Sequence, residues 1–326
     1  MNILFFSPSE TDACSFYRGV GPLSQLSRRG HITLNKTKEV NWASIAGNDL
    51  CFMQRPYAKG HLEIAEIVRR QMPLWIDYDD DLFNLPFSNP AYEHFTKNVE
   101  SLTKIINLAS IITVTTSALA DSIREHLAKD IPIQVLPNAY NDYWFPIEPS
   151  SPREKVVYWR GGETHAEDLL SIYGPLVEVA SDCPDWTFIF QGMCPWMFKD
   201  TFPLKWLSSE DIMKFLPSIQ HSIKPAIQIV PLADNKFNRS KSNIAWIEGT
   251  SAGAAVLAPD WPEWQHPGIT NYTDADDFQS QLIRLITSEG ARLHNASQSL
   301  NKVKDSLLLS QTNNQRQLII DDLRNF

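Results

Sequence analysis

The chain has no excess of basic charge. Its 38 Asp and Glu outnumber its 29 Lys and Arg, giving a formal net charge of -9. That balance provides no global footprint for duplex nucleic acid or an anionic membrane. A local strip, Arg28, Arg29, Arg55, Arg69 and Arg70, is still compatible with it. Paired cysteines are also missing. Cys14, Cys51, Cys183 and Cys194 never fall at C-x-x-C spacing, which argues against a zinc ribbon or a disulfide framework and suits reduced thiols packed as small apolar residues. No apolar run reaches the roughly 18 residues of a membrane span. The start shows no signal-peptide pattern, so a cytoplasmic location is expected. The histidines show no H-E-x-x-H spacing, and no fixed-period repeat is visible.

What the chain does have is a hydrophobic share of 43% over 326 residues, enough for a large core and best divided between two domains. Short apolar runs at "NILFFS", "DLCFMQ", "PLWIDY", "IITVTT" and "IQVLP" read as buried strands, and the segments between most of them carry helical spacing. Strand and helix in alternation predict a doubly wound parallel sheet. At "FPIEPSSPREK" the pattern stops, with three prolines and two serines in eleven residues, as in a linker. It resumes with strands at "VVYW", "WTFIFQG", "AIQIVPL" and "AAVLAP". The expected fold class is α/β, with two Rossmann-like domains, 1–148 and 149–326, facing each other across a cleft. The last helix is a candidate to pack back on the first domain. In such sheets ligands bind at the carboxyl ends of the strands, so the chemistry is sought in the loops that follow them.

Two of those loops stand out. In "VVYWRGGETHAEDLL" a strand runs through Gly161 and Gly162 into a helix, and Thr164 with Glu167 has capping-box spacing. A helix start reached through two glycines, flanked by Arg160 and His165, can seat an anion such as a diphosphate. In "PLADNKFNRSKSNIAWIEGTSAGAAVLAP" a polar loop with Lys236, Asn238, Arg239, Ser240 and Lys241 leads into a helix closed by Gly253. Lys241 near a helix start opposes the helix dipole unless an anion balances it. Glu248, four residues from Ile244 and from Ala252, falls on a face that should be partly buried, where a carboxylate can accept from two vicinal hydroxyls of a ribose.

A third feature lies in the first domain. "WIDYDDDLFNLP" places Asp77, Asp79, Asp80 and Asp81 within five positions. Alternation along an extended chain would send Asp77, Asp79 and Asp81 to one side and Asp80 to the other. The cluster reads as a metal site, as a solvated capping loop, or as an acceptor-side group that orients or deprotonates a hydroxyl. Arg18, after the first strand, could reach a phosphate or an anionic acceptor.

The segment "FNRSKSNIAWIEGTSAGAAVLAP" resembles the donor-binding segment of GT-B fold glycosyltransferases of the family 4-like group. The likeness extends to "VVYWRGGETHAEDL", "VLPNAYNDYWF" and "ILFFSPS...YRGVGPLSQLSRRGH", and with "DYDDDLFNLP" it is closest to phage-encoded members. The resemblance implies a hexosyl- or pentosyltransferase. A nucleotide-sugar such as a UDP-sugar would be its substrate rather than a cofactor, and no metal would be needed. It implies that Glu248 binds the ribose, that Arg160 and Lys241 neutralise the diphosphate, and that Gly161 and Gly162 let the backbone approach it. Asn238, Ser240 and His165 join the donor site. Asp79 and Asp80 act on the acceptor side, with Asp77 and Arg18 as further contacts. Retention of anomeric configuration is implied too. The acceptor would be a glycan or, in a phage setting within the host cytoplasm, a hydroxymethylated DNA base. The family's E-x7-E pair is incomplete, because Ser240 stands eight residues before Glu248. Two alternatives remain: a metal-dependent GT-A-like transferase with one central domain that uses the Asp77–Asp81 cluster, and a non-catalytic sugar- or nucleotide-binding protein.

Overall fold

A computed structural model describes residues 1–7, 12–37, 42–149, 153–193, 198 and 204–324. Residues 150–152 of the expected linker, and 194–197 after the "WTFIFQG" strand, lie outside the described residues.

The first sheet contains β1 (Asn2–Phe6), β2 (Thr33–Thr37), β3 (Leu50–Gln54), β4 (Leu74–Tyr78), β5 (Ile111–Val114) and β6 (Ile133–Val135). The second contains β7 (Glu154–Gly161), β8 (Thr187–Gly192), β9 (Leu204–Leu207), β10 (Pro225–Ile229), β11 (Ala255–Pro259) and β12 (Ile269–Tyr272). Their orders are β2-β1-β3-β4-β5-β6 and β12-β11-β10-β7-β8-β9. Every pairing is parallel. Two doubly wound sheets agree with the α/β expectation, and they do not match the single central domain of the GT-A-like alternative.

The central strands are covered by helices on both faces. β3, β4, β10 and β11 are buried at every position, which is why they read as continuous apolar runs. The three strands without an apolar signal, β2, β9 and β12, all lie at sheet edges. Their sequences TLNKT, LKWL and ITNY are mixed because one flank and much of one face stay near solvent.

Each sheet packs into its own apolar layers, with β4 and β5 residues in one cluster and β7, β8 and β11 residues in another. The last helix, Leu309–Leu323, leaves the second half of the chain and returns: Ile319, Ile320 and Leu323 share a cluster with Ile3, Phe5 and Leu23. Asn313 anchors it by donating to Pro22 O at 2.9 Å and Gln25 Oε1 at 2.8 Å. No helix among the described residues is long and apolar enough to cross a membrane.

After β1 the chain enters a helical run, Ala13–Ser15, then a wide π turn, Phe16–Val20, then Gly21–Arg28. Asp12 caps it, accepting from Ser15 N at 2.6 Å. A π turn adds a residue to the helical register and is frequent at functional sites. Here four consecutive residues, Phe16 to Gly19, are buried, and two of them carry polar groups into the cleft.

Candidate active site

Glu248 lies beneath the cleft wall, where side chains of both domains reach it. It stands on the Ile244–Ser251 helix and is fully buried. An ionised carboxylate there must be paired and hydrogen-bonded. Arg160, from the end of β7, supplies the charge: Nε donates to Glu248 Oε2 at 2.7 Å, and Nη2 donates to the same oxygen. Tyr17, from the π turn of the other domain, donates its hydroxyl to Oε1 at 2.8 Å. Burial opposes the Arg160 charge, but the Glu248 carboxylate outweighs it and raises the guanidinium pKa. Burial, reinforced by Glu248, pushes the Tyr17 phenol well up, so it stays a donor.

The aspartate cluster is dispersed among separate partners. Asp77 is buried in a bidentate pair with Arg18, at 3.0 and 2.7 Å, and also accepts from Thr113 Oγ1 at 2.6 Å. Arg18 donates further to Leu136 O and Asn138 Oδ1. Asp79 and Asp80 both face Arg55, at 2.7 and 2.9 Å. Asp81 is buried and caps its own turn, accepting from Phe83 N and Asn84 Nδ2. The expected alternation fails because β4 ends at Tyr78, so the following aspartates no longer follow strand geometry. A carboxylate set split between two arginines and a turn does not fit a divalent cation. Among the described residues no group of three or more His, Cys, Asp or Glu is arranged to hold one.

Across the cleft, Lys241 lies two residues ahead of the Asn243 N-cap, with its ammonium 3.6 Å from Asp80 and over the Phe237 ring. The anion that balances it is therefore a carboxylate of the opposite domain. Burial alone would raise the Asp80 pKa, yet Lys241 and Arg55 hold it below the usual carboxylate value. Nearby contacts tie the same two walls: Thr116 Oγ1 donates to Ser240 O at 2.9 Å, and Asn138 Nδ2 donates to Ser242 Oγ at 2.8 Å.

His165 is held by Asp168, Nδ1 to Oδ2 at 2.7 Å. Asp168 is itself buried and accepts from Ala233 N and Asn238 Nδ2 on Oδ1. Burial lowers the His165 pKa, favouring the neutral ring. With Nδ1–H given to Asp168, Nε2 is left as an acceptor. The helix start differs from the capping-box expectation. A short 3-10 turn, Glu163–His165, begins at Gly162, and the α-helix that follows has no side-chain cap, so Thr164 does not cap it. Gly192, opposite Gly161, has φ +102, and a Cβ there would meet Gly161 O at 2.3 Å, so only glycine fits this close approach.

Two chambers open on this framework. A smaller one of about 200 Å³ is lined by Tyr17, Arg18, Asp79, Asp80, His165 and Lys241 among others. A larger one of about 560 Å³ lies beside Gly161, Gly162, Gln191, Trp206 and Glu210. Arg160 lines both. Of the residues expected at the site, Arg18, Asp79, Asp80, Arg160, His165 and Lys241 meet in the first chamber, and Gly161 and Gly162 in the second. Glu248 sits behind Arg160. Asp77, Asn238 and Ser240 line neither: Asp77 neutralises Arg18, Asn238 braces Asp168, and Ser240 packs between Thr116 and Lys236. Sequence reasoning missed Tyr17 as a Glu248 partner, Asp168 as the His165 partner, and Arg55 as the counter-ion of two aspartates rather than part of a surface strip. Arg55 has φ +48, a backbone state that no local sequence pattern announces.

No family model matches the chain, and no curated protein matches it. Several solved structures do resemble it over almost their whole length. Sucrose-phosphate synthase from Thermosynechococcus elongatus aligns with a TM-score of 0.72 at 12% identity, covering 99% of each chain. An alpha-glucosyltransferase in complex with UDP-glucose and DNA containing an abasic site aligns at 0.70 and 9% identity, covering 98% of this chain and 99% of that one. Anabaena HepE in complex with UDP-glucose aligns at 0.68 and 14% identity, covering 99% and 100%. With two facing parallel sheets, a cleft between them and these neighbours, the chain has the GT-B fold.

Proposed function

We propose that the protein is a glycosyltransferase that moves a sugar from a nucleotide-sugar to an acceptor hydroxyl, with retention and without a divalent metal. The observation that carries this reading is Arg160, a cation that borders both chambers and is held by a buried carboxylate from a donor-type helix. The diphosphate would take Arg160 and Lys241 from Glu248 and Asp80. Ribose hydroxyls would replace the guanidinium on Glu248, with Tyr17 keeping one carboxylate oxygen oriented. Each cation thus exchanges a carboxylate for a phosphate, and Glu248 exchanges its ion pair for hydroxyl donors, so every buried polar group keeps a hydrogen-bond partner.

Transfer breaks the bond between the anomeric carbon and the diphosphate oxygen and forms a bond to the acceptor oxygen. Charge builds on the leaving diphosphate, so fixed cations there give the largest stabilisation. Asp80, released from Lys241 but still beside Arg55, orients the acceptor hydroxyl with Asp79. The departing phosphate oxygen gains negative charge as its bond to the anomeric carbon breaks, so the acceptor's proton passes to it. The acceptor is a glycan, in keeping with a first-domain wall whose Arg55 is already paired. A hydroxymethylated DNA base is the second reading, favoured by the neighbour in complex with DNA.

The test is nucleoside diphosphate release from a panel of nucleotide-sugars in EDTA, with oligosaccharides and hydroxymethylated DNA as acceptors and product anomers assigned by NMR. Metal-independent release with an α-linked product from an α-linked donor is expected. Absence of both turnover and nucleotide binding across the panel would overturn the reading.

A further inference from the structure

The larger chamber differs chemically from its neighbour. Among the described residues its walls carry Asp12, Glu163, Glu210 and Asp211 against one cation, Arg160, which Glu248 already holds. Such a wall repels a phosphate and attracts a group rich in N–H donors. Trp206 is 54% exposed, with its indole Nε1 pinned to Gly192 O at 3.0 Å, so an aromatic surface is fixed at the chamber wall.

The polar edge of the chamber is also fixed. Gln191 is 4% exposed; its Oε1 accepts from the Tyr158 hydroxyl, and its Nε2 donates to Ser208 O at 3.4 Å and Glu210 Oε2 at 3.1 Å. Those bonds settle which way the amide points and orient the Glu210 carboxylate. Among the described residues Glu210 Oε1 accepts no hydrogen bond. Asp211, which lends one oxygen to Met213 N at 2.8 Å, adds negative potential beside it.

We propose that this chamber selects guanine, through Glu210, and that the donor is a guanosine diphosphate sugar. The assignment rests on the nucleotide-sugar reading and specifies its base. Guanine is the common nucleobase that presents two adjacent N–H donors, N1–H and the 2-amino group, along one edge. A carboxylate accepts both. Uracil flanks its N3–H with two carbonyl oxygens, while adenine and cytosine set a ring-nitrogen lone pair beside their amine, so each turns an acceptor towards the acid. A lone pair facing the Glu210 carboxylate costs binding that guanine does not lose.

Calorimetric titration of the full chain with GDP, IDP, UDP, ADP and CDP tests this. GDP is expected to bind at least about tenfold tighter than UDP, ADP or CDP, and IDP, which lacks the 2-amino group, several-fold weaker than GDP. Glu210→Gln should weaken GDP about tenfold and leave UDP within about twofold, because an amide cannot accept both donors. Glu210 is exposed, so an unchanged melting temperature is expected to accompany that loss. UDP binding as tightly as GDP, or Glu210→Gln weakening all five equally, overturns the guanine assignment while leaving the nucleotide-sugar reading in place. Binding of none of the five overturns both.

Discussion

The two walls of the cleft carry similar charges in different ways. On the first-domain wall the arginines are paired within the domain: Arg18 is buried against Asp77, and Arg55 holds Asp79 and Asp80. On the second-domain wall Arg160 also has a carboxylate of its own, Glu248, but that carboxylate shares its other oxygen with a residue from across the cleft. Lys241 has no ion-pair partner in its own domain among the described residues and reaches Asp80 instead. The first wall's arginines are all held by its own carboxylates and act as scaffold, while its surplus carboxylate, Asp80, reaches across the cleft. The second carries cations whose present partners sit where a ligand would compete for them.

The strongest way to break this contrast is at the scaffold. Arg18→Met leaves Asp77 buried without its counter-ion, which should destabilise the protein by about 3–5 kcal/mol, read from urea unfolding. A loss under about 1 kcal/mol would mean that the pair is not the internal support described. Next comes Arg160→Gln, expected to lower kcat/KM by about two to three orders of magnitude, as removal of a donor to a developing oxyanion does. An unchanged kcat with only a raised KM would place Arg160 in ground-state binding alone. Lys241→Met should weaken pyrophosphate binding, whereas Asp80→Asn, by removing the competing anion, should strengthen it several-fold while lowering turnover. Equal weakening by both variants would contradict the exchange.

Two smaller effects sharpen the comparison. Glu263 packs near the start of the Glu248 helix, with its carboxylate 3.4 Å from Asn243 N, and burial raises its pKa to about 7. A carboxyl whose folded pKa exceeds its unfolded one binds more protons when folded. Stability therefore falls as pH rises from the unfolded value, near 4.5, to about 7, and stays level above it. Glu263→Gln should consequently gain about 1–2 kcal/mol at pH 8 and nothing at pH 4, after discounting for partial exposure; equal melting shifts at both pH values would refute this. Tyr17→Phe removes one neutral donor from Glu248 and should cost about 1 kcal/mol. If Tyr17 orients Glu248 for a ribose, the cost appears in nucleotide binding more than in melting temperature.

The legible parts of the sequence were those where one local pattern has one outcome. β3, β4, β10 and β11 could be read because strands buried on both faces are apolar throughout. β2, β9 and β12 were not read, since an edge strand's mixed residues resemble a loop. Arg160, His165 and Lys241 stood out because glycines and a helix start give them a recognisable setting. Asp168 and Gln191 did not, because their role depends on partners brought by other strands. Thr164 shows the limit of a motif: the capping-box spacing is present, but the chain enters the helix through a tighter turn that begins at Gly162.

By itself the sequence determined two α/β halves and the helix that carries Glu248, since apolar periodicity and glycine placement act over a few neighbouring residues. Only the tertiary structure decided that Asp77, Asp79 and Asp80 of "DYDDDLF" pair with arginines and Asp81 caps a turn, instead of all four gathering around one centre. It also decided that Tyr17 from one domain and Arg160 from the other close on the same carboxylate. The physical reason is that a charge's partner is set by distance in space, and Tyr17 and Glu248 are 231 residues apart along the chain.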